Sequence, residues 1–128
     1  MKTIIRAAQE VKKNAYVPYS HYKVGAAVET EDGHIVVGCN VESSSFGLTV
    51  CGERVALTSA IAQGYKSFTS IAIATDDGAS PCGACRQVIW DLCGDIPIIL
   101  IDKKGGVTTL QSRELLPHPF DDSSFHNN

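Results

Sequence analysis

Two short motifs in this 128-residue chain combine cysteine, glutamate and arginine, side chains that bind metals and move protons. The first is Cys51-Gly52-Glu53-Arg54, and the second contains Cys82 and Cys85. The three-residue step from Cys82 to Cys85 places both sulfurs on one face of a helix, which suits two ligands of a tetrahedral metal. With Cys51 as a third thiolate, the motifs predict a Zn²⁺ site that keeps one position open for water.

Both motifs are predicted to lie at helix starts, where unpaired N–H groups and partial positive charge favour a thiolate. Cys39 ends a predicted strand and Cys93 ends a predicted helix, so we expect both to be small buried residues. The alternative is a structural zinc site in which Cys39, Cys93 or a histidine supplies a fourth ligand.

Glu53 follows Cys51 by two residues, in the same helical turn but pointing in a different direction from the helix axis. It can therefore approach the open coordination position of the metal without binding the metal. Zinc lowers the pKa of its bound water toward ~7, and a nearby carboxylate can then transfer protons. The alternative is that Glu53 only complements the helix dipole. Arg54 and Arg86 each follow a motif residue and could donate to the sulfurs, or could simply be exposed.

Composition limits the number of domains, the kinds of partner and the location that can be expected for this chain. With 44% hydrophobic residues and a net charge of −3, residues 1–128 are expected to form one domain without a surface for nucleic acid. No apolar run approaches the ~20 residues that span a membrane. Residues 1–5 lead directly into Arg6 and Glu10, unlike a secretory signal, and the cysteine count of five is odd. We therefore expect a reducing, cytoplasmic location.

Hydrophobic periodicity predicts alternating helices and strands. Helices are predicted at 1–15, 51–63, 81–93 and 112–116, and strands at 22–28, 35–37, 71–74, 96–101 and 107–110. Gly64 and Gly94 mark helix ends, with Ser80 as an N-cap and Pro81 as the first helical residue. This order predicts an α/β fold, a three-layer α/β/α sandwich around a mixed five-stranded sheet whose last two strands are antiparallel. Residues 121–128 are expected to fray.

The two motifs resemble those of the cytidine deaminase family, in its homotetrameric form with three cysteine ligands. The resemblance runs nearly end to end and includes residues 19–27, 38–42 and 114–117. It implies hydrolysis of cytidine and deoxycytidine to uridine and deoxyuridine, with release of ammonia, in pyrimidine salvage. In such enzymes zinc hydroxide attacks C4 of cytosine, and a glutamate that is not a ligand transfers protons. Here that glutamate would be Glu53, which would protonate N3 and then the departing ammonia.

The resemblance also implies contacts with the substrate and with other subunits. Asn40 and Glu42 would bind ribose hydroxyls, and Tyr22 would pack against the pyrimidine ring unless it is a core strand residue. Phe46 and Phe120 would reach a neighbouring subunit's pocket, which implies a homotetramer with shared active sites. Local packing is the alternative for both phenylalanines.

Gly52 departs from the family, which more often has alanine between the zinc-binding cysteine and the glutamate. We expect the missing methyl to enlarge the pocket near the exocyclic nitrogen, so that N4-substituted cytidines are tolerated. Two other functions stay open: a deaminase of a modified cytosine nucleoside or of a cytosine-bearing antibiotic such as blasticidin S, and a zinc-stapled binding module without catalysis.

Overall fold

A computed structural model of the chain describes residues 2–126, which form helices around a five-stranded sheet of order β2-β1-β3-β4-β5. Strands β3 and β4 are parallel, and the other neighbouring pairs are antiparallel. The elements are α1 (Lys2–Lys12), β1 (Gly25–Thr30), β2 (Ile35–Cys39), α2 (Gly52–Ala62), β3 (Phe68–Ala74), α3 (Gly83–Cys93), β4 (Pro97–Ile101), β5 (Val107–Gln111), α4 (Ser112–Leu115) and α5 (Ser123–His126). The predicted mixed sheet and its antiparallel last pair are confirmed.

Two apolar cores lie on opposite faces of the sheet. On one face Ile4 and Ala8 of α1 pack against the small side chain of Ala72 in β3. On the other face Leu57 of α2 and Ile89 of α3 form a larger core with the sheet. The predicted three-layer α/β/α sandwich is therefore confirmed. Within the described part of the chain, no helix is long and apolar enough to cross a membrane.

Two glycines let strand backbone touch helix backbone. A Cβ atom on Gly25 would lie 2.2 Å from the carbonyl oxygen of Ala8, and one on Gly38 would lie 2.3 Å from the amide nitrogen of Ala56. Any side chain at these positions would push the helix away from the sheet. The contact at Gly38 holds α2 against β2, so the start of α2 lies beside Asn40, the residue that follows this strand.

Several predicted boundaries need correction. Strand β1 begins at Gly25 instead of residue 22, because the N–H of Val24 donates to the Asn40 side chain at 2.9 Å instead of to a neighbouring strand. Helix α3 begins later than predicted, with Cys82 as its N-cap at ψ 166°. Ser80 is not the cap, because its hydroxyl accepts a hydrogen bond from the guanidinium of Arg86 at 2.7 Å.

The predicted helix ends at Gly64 and Gly94 are confirmed, since α2 and α3 stop there and both glycines have positive φ, 97° and 69°. The C-terminal residues include the short helix α5, in which the ring of Phe125 packs edge-on against Phe120 at 6.2 Å between centroids. Residues 127–128 lie outside the described residues, and fraying of 121–128 stays a prediction.

Candidate metal centre

Three sulfur atoms converge where α2 and α3 begin. The Sγ atoms of Cys51, Cys82 and Cys85 all lie within 4.8 Å of one another. Cys51 and Cys82 are the N-caps of the two helices, and Cys85 lies in the first turn of α3. Tetrahedral zinc with Zn–S bonds of ~2.3 Å needs sulfurs ~3.8 Å apart, so this cluster fits the ion. Among the side chains that the structure describes, no histidine, carboxylate or further cysteine joins it, and neither Cys39 nor Cys93 supplies a fourth ligand.

Hydrogen bonding within the cluster already favours a negative charge on sulfur. The pKa of Cys51 is lowered to about 5, chiefly by the hydrogen bond with the Cys85 thiol and also by the guanidinium of Arg54, although burial opposes both. The same hydrogen bond raises the pKa of Cys85, as do burial and the charge of Glu53. A cysteine that neighbouring donors hold in the thiolate form is the kind that binds a soft metal cation.

The other two cysteines lie apart from this cluster. Burial raises the pKa of Cys93 to about 12 and also raises the pKa of Cys39. Both thiols are partly buried and stay protonated at neutral pH. Cys93 packs against the larger core, as its predicted role requires, whereas the packing role of Cys39 stays a prediction.

Arg54 is the arginine that reaches a sulfur. Its Nη2 donates to Sγ of Cys51 at 3.4 Å. Its Nε is buried and has no hydrogen-bond partner within residues 2–126. A buried N–H without a partner costs about 1–3 kcal/mol, and negative charge on the neighbouring sulfurs offsets part of that cost. This orphaned donor is a second reason to expect an anionic metal–thiolate cluster here.

Arg86 matches neither alternative, donation to a sulfur or simple exposure. Its guanidinium instead donates to the carbonyl oxygens of Pro81 at 2.7 Å and Leu115 at 3.0 Å, and to the hydroxyl of Ser80. Arg86 therefore ties the segment before Cys82 to the end of α4 and has a structural role.

Glu53 lies beside the sulfurs in the first turn of α2, and only 4% of it is exposed. Burial raises the pKa of its carboxyl group, and the charge of Cys51 raises it further, whereas hydrogen bonds to the backbone and to Cys85 act in the opposite direction. A carboxyl group in such surroundings holds a proton more readily than one in water, which suits a group that accepts and returns protons.

A cavity of about 270 Å³ opens directly onto this cluster. It lies beyond the C-terminal end of the parallel strand β3, the usual location of a ligand site in such a sheet. Its wall combines predicted site residues with residues from neighbouring segments. They are Tyr22, Val24, Asn40, Thr49, Cys51, Glu53, Ile73, Thr75, Ala79, Ser80, Pro81 and Cys82. The size suits one small molecule rather than a polymer.

Asn40 organises the polar wall of this cavity and is 8% exposed. Its Oδ1 accepts from the N–H of Val24 at 2.9 Å, and its Nδ2 donates to the carbonyl oxygen of Tyr22 at 2.8 Å. Tyr22 thus lies just before β1, and the alternative that it is a core strand residue is not supported. Tyr22 is 38% exposed and lines the cavity.

The structure places Glu42 and Gly52 against neighbouring backbone rather than in the wall of this cavity. The Glu42 carboxylate accepts from the N–H groups of Tyr19 and Ser20 at 3.0 and 3.1 Å, and from the Ser20 hydroxyl. A methyl group on Gly52 would meet the carbonyl oxygen of Val24 at 3.1 Å. The cavity wall described above includes neither residue, so the structure does not support an enlarged pocket due to Gly52.

Phe46 and Phe120 also lie away from this cavity and are strongly exposed, at 76% and 63%. Phe46 has an edge contact with Tyr19 at 6.1 Å between ring centroids. The backbone carbonyl of Phe120 accepts from the side chain of Gln87 at 2.6 Å. Both rings are therefore available to a further molecule.

Sequence reasoning did not single out Thr75 and Asp77, although Thr75 lines the cavity and Asp77 holds the Tyr22 hydroxyl. One signal was available. Both are polar residues within three positions of the end of a buried strand, β3, and such residues gather at the carboxyl edge of a sheet.

Comparison with known proteins decides the family. A family model of the cytidine and deoxycytidylate deaminase zinc-binding region matches residues 1–99. The chain belongs to this family. The cytidine deaminase of Sporosarcina psychrophila is 42% identical over 123 residues, which cover 94% of this chain and 90% of that protein. The cytidine deaminase structure from Burkholderia pseudomallei matches with a TM-score of 0.89 at 43% identity, covering 93% of this chain and 98% of that one.

A blasticidin-S deaminase from Bacillus cereus is also similar, but at 31% identity over 124 residues, which cover 89% of this chain and 87% of that protein. The predicted resemblance to cytidine deaminases and the predicted zinc cofactor are confirmed by the family match and by the cluster of Cys51, Cys82 and Cys85. Three soft sulfur ligands at this spacing are typical of zinc.

Proposed function

We propose that this chain, as one domain, hydrolyses cytidine and deoxycytidine to uridine and deoxyuridine. In this reaction one water is consumed, the bond from C4 to the exocyclic nitrogen breaks, a C4 carbonyl forms and ammonia leaves. The observation that carries the proposal is the buried carboxylate of Glu53, which shares one cavity wall with Cys51 and Cys82. Its support from relatives is the 42% identity to a cytidine deaminase over most of the chain.

The zinc would be held by Cys51, Cys82 and Cys85. When bound, zinc lowers the pKa of a coordinated water molecule and so supplies a nucleophile near neutral pH. Arg54 offsets the negative charge of the thiolates through its contact with Cys51. Without this offset, three thiolates would leave the cluster with a net negative charge and a weaker Lewis acid.

Glu53 would act as the proton carrier. Its carboxylate accepts a proton from the attacking water and delivers it to N3 of the pyrimidine. It then accepts the proton of the new C4 hydroxyl group and delivers it to the departing amino group, so that the C4 carbonyl forms as ammonia leaves. A buried position excludes bulk water, so the proton is returned to the substrate rather than lost to solvent. Because Glu53 is held at the start of α2, it stays beside the sulfurs without depending on a mobile loop.

The substrate would be oriented by polar and aromatic groups at the other end of the cavity. Asn40 can offer its second Nδ2 hydrogen to a ribose hydroxyl, because only one is used by the carbonyl oxygen of Tyr22. Glu42 would bind the sugar from the adjoining turn, and the ring of Tyr22 would pack against the base. A nucleoside without phosphate also suits a chain of net charge −3.

We extend the proposal to a homotetramer in which Phe46 and Phe120 complete a neighbouring subunit's site, in a cytoplasmic enzyme of pyrimidine salvage. Exposed apolar residues of this size are typical of subunit contacts, and Leu48 beside Phe46 is also 70% exposed. Sedimentation should give about four times the 13.7 kDa of one chain. Subunits with Glu53→Gln and subunits with Phe46→Ala should regain activity when mixed, because a site that keeps Glu53 can then receive Phe46 from the neighbouring subunit. A monomeric protein would overturn the shared site.

The direct test of the function is ammonia release from cytidine and deoxycytidine by the zinc-loaded protein. Activity should disappear on chelation and return with zinc. Cys82→Ala should lose both zinc and activity, whereas Cys93→Ala, a matched change outside the cluster, should keep both. Zinc binding without ammonia release would overturn the proposal in favour of the binding module. Ammonia release from blasticidin S but not from cytidine would overturn it in favour of an antibiotic deaminase.

A further inference from the structure

Three hydrogen bonds fix Tyr22 on the cavity wall at both ends of the residue. Its N–H donates to Oγ of Ser20 at 3.0 Å, and its carbonyl oxygen accepts from Asn40 at 2.8 Å. At the far end of the ring, its hydroxyl donates to Oδ1 of Asp77 at 2.7 Å. Tyr22 is 38% exposed, so the backbone contacts alone would leave its ring free to rotate toward solvent.

Asp77 is itself held in place by the turn that connects β3 to α3. Its Oδ1 also accepts from the backbone N–H of Ala79 at 3.2 Å and from the hydroxyl of Thr75 at 3.3 Å. Thr75 is 3% exposed, and its Oγ1 accepts from the N–H of Gly78 at 2.8 Å. The acceptor for the Tyr22 hydroxyl is therefore a preset atom rather than the end of a mobile side chain.

We propose that Asp77 is a positioning residue for the pyrimidine base, because its carboxylate holds the Tyr22 ring in the orientation in which the ring can pack against a flat substrate. This inference rests on the proposed function, which makes the base the occupant of the cavity. A ring that is ordered before binding removes part of the entropy cost of forming the complex. Asp77 touches no reacting atom, so its effect belongs to binding rather than to chemistry.

Asp77→Ala should raise the KM for cytidine about threefold to tenfold, the loss expected for one hydrogen bond to a charged acceptor that is open to solvent. The kcat should stay within about twofold, because Glu53 and the sulfurs are unchanged. Asp77→Asn keeps an oxygen that can accept from the Tyr22 hydroxyl and from Ala79, so it should restore most of the affinity.

A double-mutant cycle separates positioning of the ring from support of the turn. Tyr22→Phe keeps the ring but removes the hydroxyl, so adding Asp77→Ala to Tyr22→Phe should change KM no further. Asp76→Ala is the matched control, because Asp76 is the neighbouring acid but pairs with Lys12 at 2.5 Å. It removes the same charge and should leave KM unchanged.

The dissociation constant of uridine, measured by calorimetry on the zinc-loaded proteins, provides a second reading of the same cycle. An equal increase on Asp77→Ala in the wild-type and Tyr22→Phe backgrounds would overturn the inference, since Asp77 would then act on the turn. An equal increase for Asp76→Ala would also overturn it, in favour of net charge. A wild type that binds uridine but releases no ammonia would overturn the proposed function, while the uridine cycle would still decide the role of Asp77.

Discussion

Nη2 of Arg54 lies 3.4 Å from Sγ of Cys51, so a positive charge rests against one of the three sulfurs proposed to hold zinc. The two residues lie at the start of α2, where Cys51 is the N-cap. The guanidinium and the helix N-terminus both favour the thiolate form of Cys51. The charge balance of the metal site is therefore built into a single helical turn.

Arg54→Gln should weaken the hold on zinc, because the thiolates would lose their charged donor. Outer-shell changes of this kind typically cost about 10–100-fold in metal affinity or activity. The measurement is the rate of zinc transfer to a colorimetric chelator, followed beside kcat for cytidine. We expect transfer to be at least about tenfold faster than for the wild type.

Arg86→Gln is the control, since Arg86 also directly follows a motif residue but donates to Pro81, Leu115 and Ser80. It should lower the melting temperature with a much smaller effect on zinc transfer. If both variants lost zinc equally fast, the assignment of Arg54 as the specific partner of the sulfurs would be wrong.

Gly52→Ala and Gly83→Ala are a matched pair, because each glycine is the first residue of a helix and directly follows a zinc-binding cysteine. A methyl on Gly83 would meet no described heavy atom within 4 Å, whereas one on Gly52 would lie 3.1 Å from the carbonyl oxygen of Val24. Gly83→Ala should raise the free energy of unfolding by about 0.5 kcal/mol. Gly52→Ala should gain less, as chemical denaturation can measure.

Gly52→Ala also tests the prediction from sequence that Gly52 makes room for N4-substituted cytidines. Its methyl would face the backbone of Val24 and Asn40, so we now expect the ratio of kcat/KM for N4-methylcytidine to cytidine to be equal in wild type and Gly52→Ala. A ratio that falls sharply in Gly52→Ala would restore the original prediction.

Glu42 leads to a prediction about the thermal stability of the protein at low pH. Its pKa is lowered, first by the hydrogen bond with the Ser20 hydroxyl, from an ordinary value of 4.5. A carboxyl group whose pKa is lowered by folding stabilises the fold at pH values above its ordinary pKa. This contribution is lost as the pH falls through the pKa of the folded state. The melting temperature of the wild type should thus exceed that of Glu42→Gln at neutral pH, and the gap should close in acid. A gap independent of pH would show that the charge of Glu42 is not involved.

The sequence was sufficient for features that depend on local spacing. Cys82 and Cys85 meet because three residues make nearly one helical turn, and Gly64 and Gly94 end their helices because they adopt positive φ. The antiparallel pairing of β4 and β5 followed from a connection too short for a crossover.

Features that depend on distant parts of the chain were not predictable in this way. Arg54 and Arg86 each directly follow a motif residue near the start of a helix, but the carbonyl of Leu115, 29 residues away, accepts from Arg86. The bond from Tyr22 to Asp77 spans 55 residues and exists only once β1 and β3 are paired. Spacing rules contain no information about such contacts, because the contacts are made by tertiary packing.

The most direct test of the account is Glu53→Gln, which keeps the size of the side chain but removes its capacity to carry a proton. The variant should retain about one zinc per chain by metal analysis and bind uridine, because Cys51, Cys82 and Cys85 are unchanged. Ammonia release from cytidine should fall by a factor of about 10²–10⁴ or more, the range typical of general acid–base catalysis. A Glu53→Gln protein that keeps its zinc and deaminates cytidine at the wild-type rate would contradict the account.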